Sequence, residues 1–229
     1  MAQCGHRRRD LAVLVALLWL IPACGPVHTT VRPQAGTLAK VKSVAVVVPP
    51  DGEFTVYYER AKATATGAVF FGLVGAAVSS SYNTSEDSKI ADVLRPQLAG
   101  FSCQEVFRAA VARALTESKR FAEVRVLEKE PPEAEKAKYD AIATFKFVGW
   151  GVRLVERTSG ERVSSFVDIM ASLRKAGAAD PVWSENTTVI GKGKHALADF
   201  RESPDVTRRE VAAVVEDAAY RVANTLIYN

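Results

Sequence analysis

The sequence has few of the side chains that most often bind metals or perform catalysis. Its 229 residues include three cysteines and three histidines, and none of them forms a Cys-x-x-Cys or a His pair at helical spacing. Such pairs are the usual source of zinc ligands, and the chain also lacks the acidic loop that binds calcium. The sequence therefore predicts no metal site and no cofactor.

The chain also lacks a strong excess of charge of either sign. Its 30 Lys and Arg against 26 Asp and Glu give a net charge of +4. Arg7, Arg8, Arg9 and Asp10 carry +2 of this, so residues 24–229 carry only +2. That balance gives no basic surface for nucleic acid, which we do not expect as a partner. A content of 48% hydrophobic and 24% charged residues is typical of one globular domain with a real core.

The first 25 residues resemble an export signal that ends on a cysteine. Arg7-Arg8-Arg9 is followed by an apolar run over residues 11–20 and then by Ile21-Pro22-Ala23-Cys24. The last four residues resemble the lipobox of bacterial lipoproteins, in which the cysteine is diacylated, the signal is cut before it and the new amino group is acylated. The resemblance implies a signal peptide at 1–23, lipidation at Cys24 and a membrane anchor. A plain secretory signal or an uncleaved anchor is the alternative.

Two further expectations depend on that processing. In the sorting rule of enteric lipoproteins an Asp after the lipidated cysteine retains the protein in the inner membrane. Gly25 stands there instead, which favours the periplasmic face of the outer membrane, with the inner membrane as the alternative. Because Cys4 leaves with the signal and Cys24 is lipidated, Cys103 is the one remaining thiol, and no internal disulfide is expected.

Residues 24–40 are predicted to form a flexible tether, and residues 41–229 a single periplasmic domain. The predicted strands are 41–48, 123–127, 140–156, 163–174 and 182–190, and the predicted helices are 101–121 and 205–228. Ser102 and Glu105 have capping-box spacing at the start of the first helix. Phe145, Phe147 and Gly149 are placed on one face of the third strand, and Lys146, Val148 and Trp150 on the other.

This order of elements predicts an α/β (α+β) domain with one mixed, mostly antiparallel sheet of about five strands. Two long helices would cover one face, with an apolar insertion at 61–85. The order resembles the periplasmic domain shared by several small envelope lipoproteins, including the curli secretion channel lipoprotein. That resemblance covers the chain after residue 40 and implies no functional residue.

The insertion is unusual because residues 63–85 contain no charged side chain. Small residues recur every four positions, as in helices that approach each other closely in membranes. The residues expected to contact a membrane or a partner are Ala68, Gly72, Gly75, Ala76, Phe70, Phe71 and Leu73. Three interpretations stay open: a membrane-embedded helix or hairpin that oligomerises, a helix buried within the domain, and a loop. The apolar core is shorter than the ~20 residues that a spanning helix needs.

The remaining candidate groups have simpler explanations. Residues 191–195 superficially suggest phosphate binding, but they lack the spacing of a nucleotide loop. Asp140 and Asp168 would form an acid pair only if the strand register brought them together. Four aromatic residues are candidates to line a ligand groove, although aromatics on paired strands are most often cross-strand core contacts: Trp150, Trp183, Phe145 and Phe166. Cys103 and His195 lack the paired base and nucleophile of covalent catalysis, so we do not expect an enzyme.

These features predict a lipid-anchored periplasmic lipoprotein that acts as a structural or adaptor component of an envelope assembly. Its partners would be the membrane through Cys24, and an envelope protein or further copies of itself through residues 61–82. The alternative is a periplasmic binding module that holds a lipid or another apolar ligand between the sheet and residues 63–80.

Overall fold

The computed structural model describes residues 30–33, 36–50, 52–58, 85–156 and 161–228. The strands are β1 (Ser43–Val47), β2 (Phe54–Tyr58), β3 (Glu123–Leu127), β4 (Ala141–Glu156), β5 (Arg162–Lys175), β6 (Pro181–Ile190) and β7 (His195–Ala196). The α-helices are α1 (Ser85–Leu94), α2 (Cys103–Glu117), α3 (Glu133–Lys136), α4 (Leu197–Glu202) and α5 (Pro204–Tyr228). Two 3-10 turns, Leu38–Lys40 and Arg95–Leu98, complete the elements. Within those ranges, no helix combines the length and the apolar character that crossing a bilayer requires.

The seven strands form one mixed sheet with the order β3-β1-β4-β5-β6, to which β2 and β7 are added. β1 pairs in parallel with β3 and β4, and β2 also pairs in parallel with β4. The pairs of β5 with β4, β6 and β7 are antiparallel. A mixed α+β domain is therefore confirmed, but the sheet has seven strands where about five were expected, and three of its six described strand pairings are parallel.

The first half of the sheet depends on the length of β4. Residues 141–144 of β4 pair with β1, and residues 150–154 pair with β2. β1 and β2 thus follow one another along the same side of β4. Pro49 and Pro50 interrupt them because proline has no N–H to donate to a sheet. The sequence predicted an end of the strand at these prolines, but not its resumption at Phe54.

One face of the sheet carries the main core, as the two helical stripes predict. Phe107, Val111 and Leu115 of α2 have no exposed surface, and neither do Val215 and Val222 of α5. They form one apolar cluster with alternate residues of β1, β4 and β5. α2 begins as expected, since the Glu105 N–H donates to Ser102 Oγ over 3.2 Å. A smaller cluster lies on the other face of the sheet and consists of Ala45, Val47, Tyr139 and Ile142. The loop that contains α3 connects β3 to β4.

Two local predictions differ from the structure. The register of β4 against β5 shifts between Phe147 and Gly149, so the alternation of side chains reverses there. Phe145 and Trp150 consequently belong to the same core cluster, although the sequence placed them on opposite faces. The predicted tether is also partly attached to the domain: Val31 forms an antiparallel bridge with Ser184, and Leu38 is buried.

Candidate functional site

A groove of about 830 Å³ lies between β2 and the segment that joins α1 to α2. The described residues that line it are Glu53, Phe54, Asp92, Arg95, Pro96, Leu98, Ala99, Phe101 and Trp150. This volume lies within the range of small-molecule sites, roughly 300–1,000 Å³. We therefore take the groove as the candidate functional site.

Three aromatic rings form the floor of the groove. Phe54 meets Trp150 edge-on with 5.2 Å between ring centroids, and Phe101 lies 6.4 Å from Trp150. The indole Nε1–H of Trp150 donates to the Gly52 carbonyl oxygen over 2.7 Å. Because that bond satisfies its polar atom, Trp150 offers an apolar ring in a fixed orientation.

The backbone around Trp150 explains how β4 places that ring in the groove. The register shift after Phe147 turns Trp150 toward the side of the sheet that carries the helices. The next residue, Gly151, has φ of +146° and pairs with Thr55 of β2. Thr55 Oγ1 also donates to the Trp150 carbonyl oxygen over 3.3 Å. The floor therefore depends on a close approach of β2 to β4.

The opposite wall is the 3-10 turn Arg95–Leu98, and α5 holds it from behind. Arg208 donates from Nε to the Gln97 carbonyl oxygen over 3.0 Å and from Nη2 to the Ala99 carbonyl oxygen over 2.9 Å. The last carbonyl groups of a helix have no N–H donor within the helix. The Arg208 guanidinium therefore satisfies two carbonyl oxygens that would otherwise need water. Gln97 Nε2 in turn donates to the Arg201 carbonyl oxygen over 3.1 Å. These three hydrogen bonds tie the wall to α4 and α5.

Charged groups lie on the rim of the groove. Arg95 Nη1 and Asp92 Oδ1 are 3.2 Å apart, and both side chains are more than half exposed. Glu53 adds a second carboxylate on the β2 side. The rim thus carries one basic and two acidic side chains, and the aromatic floor suits non-covalent binding of an apolar group.

The structure places the four predicted groove aromatics differently. Trp150 lines the groove, while Phe145, Phe166 and Trp183 are fully or almost fully buried. Phe145 packs on Phe107 in the core, with 5.6 Å between centroids. Trp150 is thus the member of the four that borders a groove, and the other three are the core residues that aromatics on paired strands most often are.

Asp140 and Asp168 do not form an acid pair. Asp140 precedes β4, whereas Asp168 pairs with Gly149 nine residues further along that strand, which is about 30 Å at the rise of a β-strand. Asp140 Oδ2 instead accepts the N–H groups of Ser43 and Lys42, over 2.9 and 2.7 Å. These two bonds hold the pKa of Asp140 below its usual value, and the bond from the Ser43 N–H has the larger effect.

The glycine-rich stretch 191–195 is a strand-end turn attached to β5. The Gly191 N–H donates to the Ser165 carbonyl oxygen over 2.8 Å, and Ser164 Oγ donates to the Gly193 carbonyl oxygen over 2.9 Å. A Cβ on Gly191 would lie 2.7 Å from Ser165 Oγ. These contacts account for the glycines by close packing.

His195 contacts a carboxylate and an aromatic ring, and Cys103 is buried. His195 Nε2 lies 3.1 Å from Glu210 Oε2, and its ring is 5.6 Å from that of Phe200. Cys103 has no exposed surface at the start of α2, so its thiol cannot contact a substrate. In the part of the chain that the structure describes, no three His, Cys, Asp or Glu side chains form a metal-binding group.

The remaining predicted site residues lie outside the described residues. They are Cys24, Ala68, Phe70, Phe71, Gly72, Leu73, Gly75 and Ala76. Sequence reasoning missed the groove-lining residues Phe54, Asp92, Arg95 and Leu98, because it assigned no element to 54–58 or 85–98. Two signals were present: the alternation of Phe54 and Val56, and the four-residue spacing of Ile90, Leu94 and Leu98.

No family model and no curated protein matches the sequence. Among solved structures, protein XCC0632 from Xanthomonas campestris is 11% identical over 86% of this chain and 90% of its own, with a TM-score of 0.44. The PelC dodecamer from Paraburkholderia phytofirmans is 13% identical over 88% and 95%, with a TM-score of 0.40. Lipoprotein GNA1162 from Neisseria meningitidis is 12% identical over 77% and 98%, with a TM-score of 0.22. A likeness at this level assigns neither a family nor a function to the chain.

Proposed function

We propose that this protein is a lipid-anchored periplasmic lipoprotein that serves as a non-enzymatic structural or adaptor component of an envelope assembly. The observation that carries the proposal is the lipobox-like sequence Ile21-Pro22-Ala23-Cys24 behind a basic and apolar leader. A folded α+β domain follows it within a few residues, since Val31 already pairs with β6. Gly25 favours the outer membrane over the inner one.

The adaptor role requires a second contact besides the lipid. Residues 61–82 supply the candidate, because their apolar, small-residue pattern suits close contact with another helix or with lipid. Self-association or binding of an envelope protein through this segment would connect the anchored domain to an assembly.

Carbonate extraction distinguishes insertion of residues 61–82 into the bilayer from a contact with a protein. Residues 25–229 are exported behind a cleavable, non-lipidating signal, and the membranes are extracted. Retention in the pellet would show that the segment inserts without the acyl anchor. Release would identify it as a docking surface or a buried element, and sedimentation of the purified full chain would then measure self-association.

Substitutions on the small-residue stripe test the contact directly. Gly72→Leu together with Ala76→Leu is expected to abolish oligomers or partner cross-links, because large side chains keep helices apart. Ala77→Leu, which lies off the four-residue stripe, is the matched control. Unchanged assembly in the double variant would contradict a helix contact through this stripe.

The groove favours a second candidate function, a binding module for a lipid or another apolar ligand. Trp150 reports on it, because Trp183→Phe leaves Trp150 as the sole tryptophan after residue 23. Titration with short-chain phosphatidylethanolamine should shift the Trp150 emission and saturate at a defined stoichiometry if the groove holds acyl chains. A constant spectrum, together with no co-purifying lipid beyond that on Cys24, would remove this candidate.

A further inference from the structure

The segment between the predicted lipid anchor and the domain is too short to let the domain turn freely over a membrane. Val31 is attached to β6 by two backbone hydrogen bonds: its N–H donates to the Ser184 carbonyl oxygen over 3.1 Å and its carbonyl oxygen accepts the Ser184 N–H over 2.9 Å. The Val31 N–H also donates to Ser184 Oγ over 3.1 Å. The segment that follows the predicted anchor is therefore attached to the domain at Val31, on the β6 edge of the sheet.

The length of the connection sets how far that edge can lie from the bilayer. Six residues lie between Cys24 and Val31, and the seven Cα–Cα steps of this connection span about 25 Å when fully extended. A random coil of this length has a root-mean-square span of about 15 Å. A nearly extended tether is entropically unfavourable, so the typical distance is the shorter one.

The width of the sheet is larger than this root-mean-square span of the tether. One row of paired residues crosses it from edge to edge, through Ser184, Ser172, Thr144, Val47 and Leu127. The four strand spacings in this row amount to about 19 Å. For the β3 edge to face the bilayer, the tether would have to extend past the full sheet.

We infer that the β6 edge, with residues 30–33 beside it, faces the lipid surface, and that the β3 edge points away into the periplasm. The inference rests on the proposed lipidation of Cys24. The anchor then acts as an orienting device as well as an address: it presents the β3 side and the loop that contains α3 to partners. Ile190, an exposed apolar side chain at the end of β6, lies on the membrane-facing edge.

Energy transfer to the membrane measures this orientation in the lipidated full chain. Asn186→Cys on β6 and Glu128→Cys just after β3 are each combined with Cys103→Ala and carry the same donor dye. The proteins are reconstituted in vesicles of phosphatidylethanolamine and phosphatidylglycerol with a headgroup acceptor. We expect higher transfer from position 186, since the two edges differ by about 19 Å in distance from the bilayer.

Two changes to the tether provide matched controls. Insertion of 20 Gly and Ser residues after Gly25 raises the root-mean-square span to about 29 Å and should abolish the difference. Val31→Pro removes the N–H that Ser184 accepts and should reduce the difference, while Val31→Thr keeps the N–H and should preserve it.

The outcomes separate this inference from the proposed function. Equal transfer from both positions, or higher transfer from 128, in protein whose lipid is verified by mass overturns the orientation and leaves the lipoprotein proposal intact. Protein that carries no lipid and does not bind the vesicles overturns the proposed function itself.

Discussion

Gly151 and Thr55 face each other across the parallel pair of β4 and β2, and their backbones are so close that a Cβ on Gly151 would lie 2.0 Å from the Thr55 carbonyl oxygen. Gly151 also has φ of +146°, a region that residues with a side chain rarely adopt. The floor of the groove is thus built around one glycine.

Gly151→Ala should detach β2 and destabilise the domain by about 3 kcal/mol, because both backbone strain and a steric clash oppose the native pairing. Urea unfolding followed by circular dichroism measures this. Gly177→Ala is the control: its φ is +76°, but a Cβ there would meet nothing within 4 Å. We expect that variant to lose about 1 kcal/mol. Equal losses in the two variants would contradict the close contact with Thr55.

Arg208→Lys should loosen the wall of the groove. A lysine cannot reproduce the two guanidinium bonds to the Gln97 and Ala99 carbonyl oxygens, and the expected loss of stability is about 1 kcal/mol. Arg209→Lys is the neighbouring control, since the Arg209 side chain is 67% exposed and 3.6 Å from Glu210. Thermal unfolding should distinguish the two variants. A change in the Trp150 emission of the Arg208 variant, measured in the Trp183→Phe background, would show that the wall supports the floor.

Asp140→Asn should destabilise the protein at neutral pH and have little effect in strong acid. The pKa of Asp140 is lowered in the folded protein by the Ser43 and Lys42 N–H groups. A carboxylate with a lowered pKa stabilises the fold above its unfolded pKa of about 3.9, and this stabilisation is lost as the pH falls through the folded pKa. Unfolding from pH 2 to 7 tests the prediction, with Asp180→Asn in an exposed turn as the control. A pH-independent difference would contradict the assigned role.

The parts of the fold that the sequence predicted are those where local pattern and burial agree. α2 and α5 have regular apolar stripes, and Ser102 caps α2 as its spacing to Glu105 indicates. β1 is apolar on both faces because its alternate residues belong to the two apolar clusters on opposite faces of the sheet.

The parts that the sequence missed depend on contacts between distant segments. β2 exists because residues 150–154 offer it a partner, and nothing within residues 54–58 alone identifies a parallel neighbour. The face of the sheet on which Trp150 lies depends on a register shift between β4 and β5. A prediction that assigns side chains strictly alternately to the two faces of a strand cannot include such a shift. α1 follows directly on the long apolar segment, whose pattern obscured the start of a new helix. The groove was missed because all three features meet there.

The mass of the amino-terminal peptide of the protein purified from membranes shows directly whether Cys24 is lipidated. We expect a peptide that begins at Cys24 and carries a diacylglyceryl group on sulfur and an acyl group on nitrogen. We also expect the Cys24→Ala variant to lose both groups and the membrane association. An unmodified Cys24, a chain that keeps residues 1–23, or lipid that persists in the Cys24→Ala variant would contradict it.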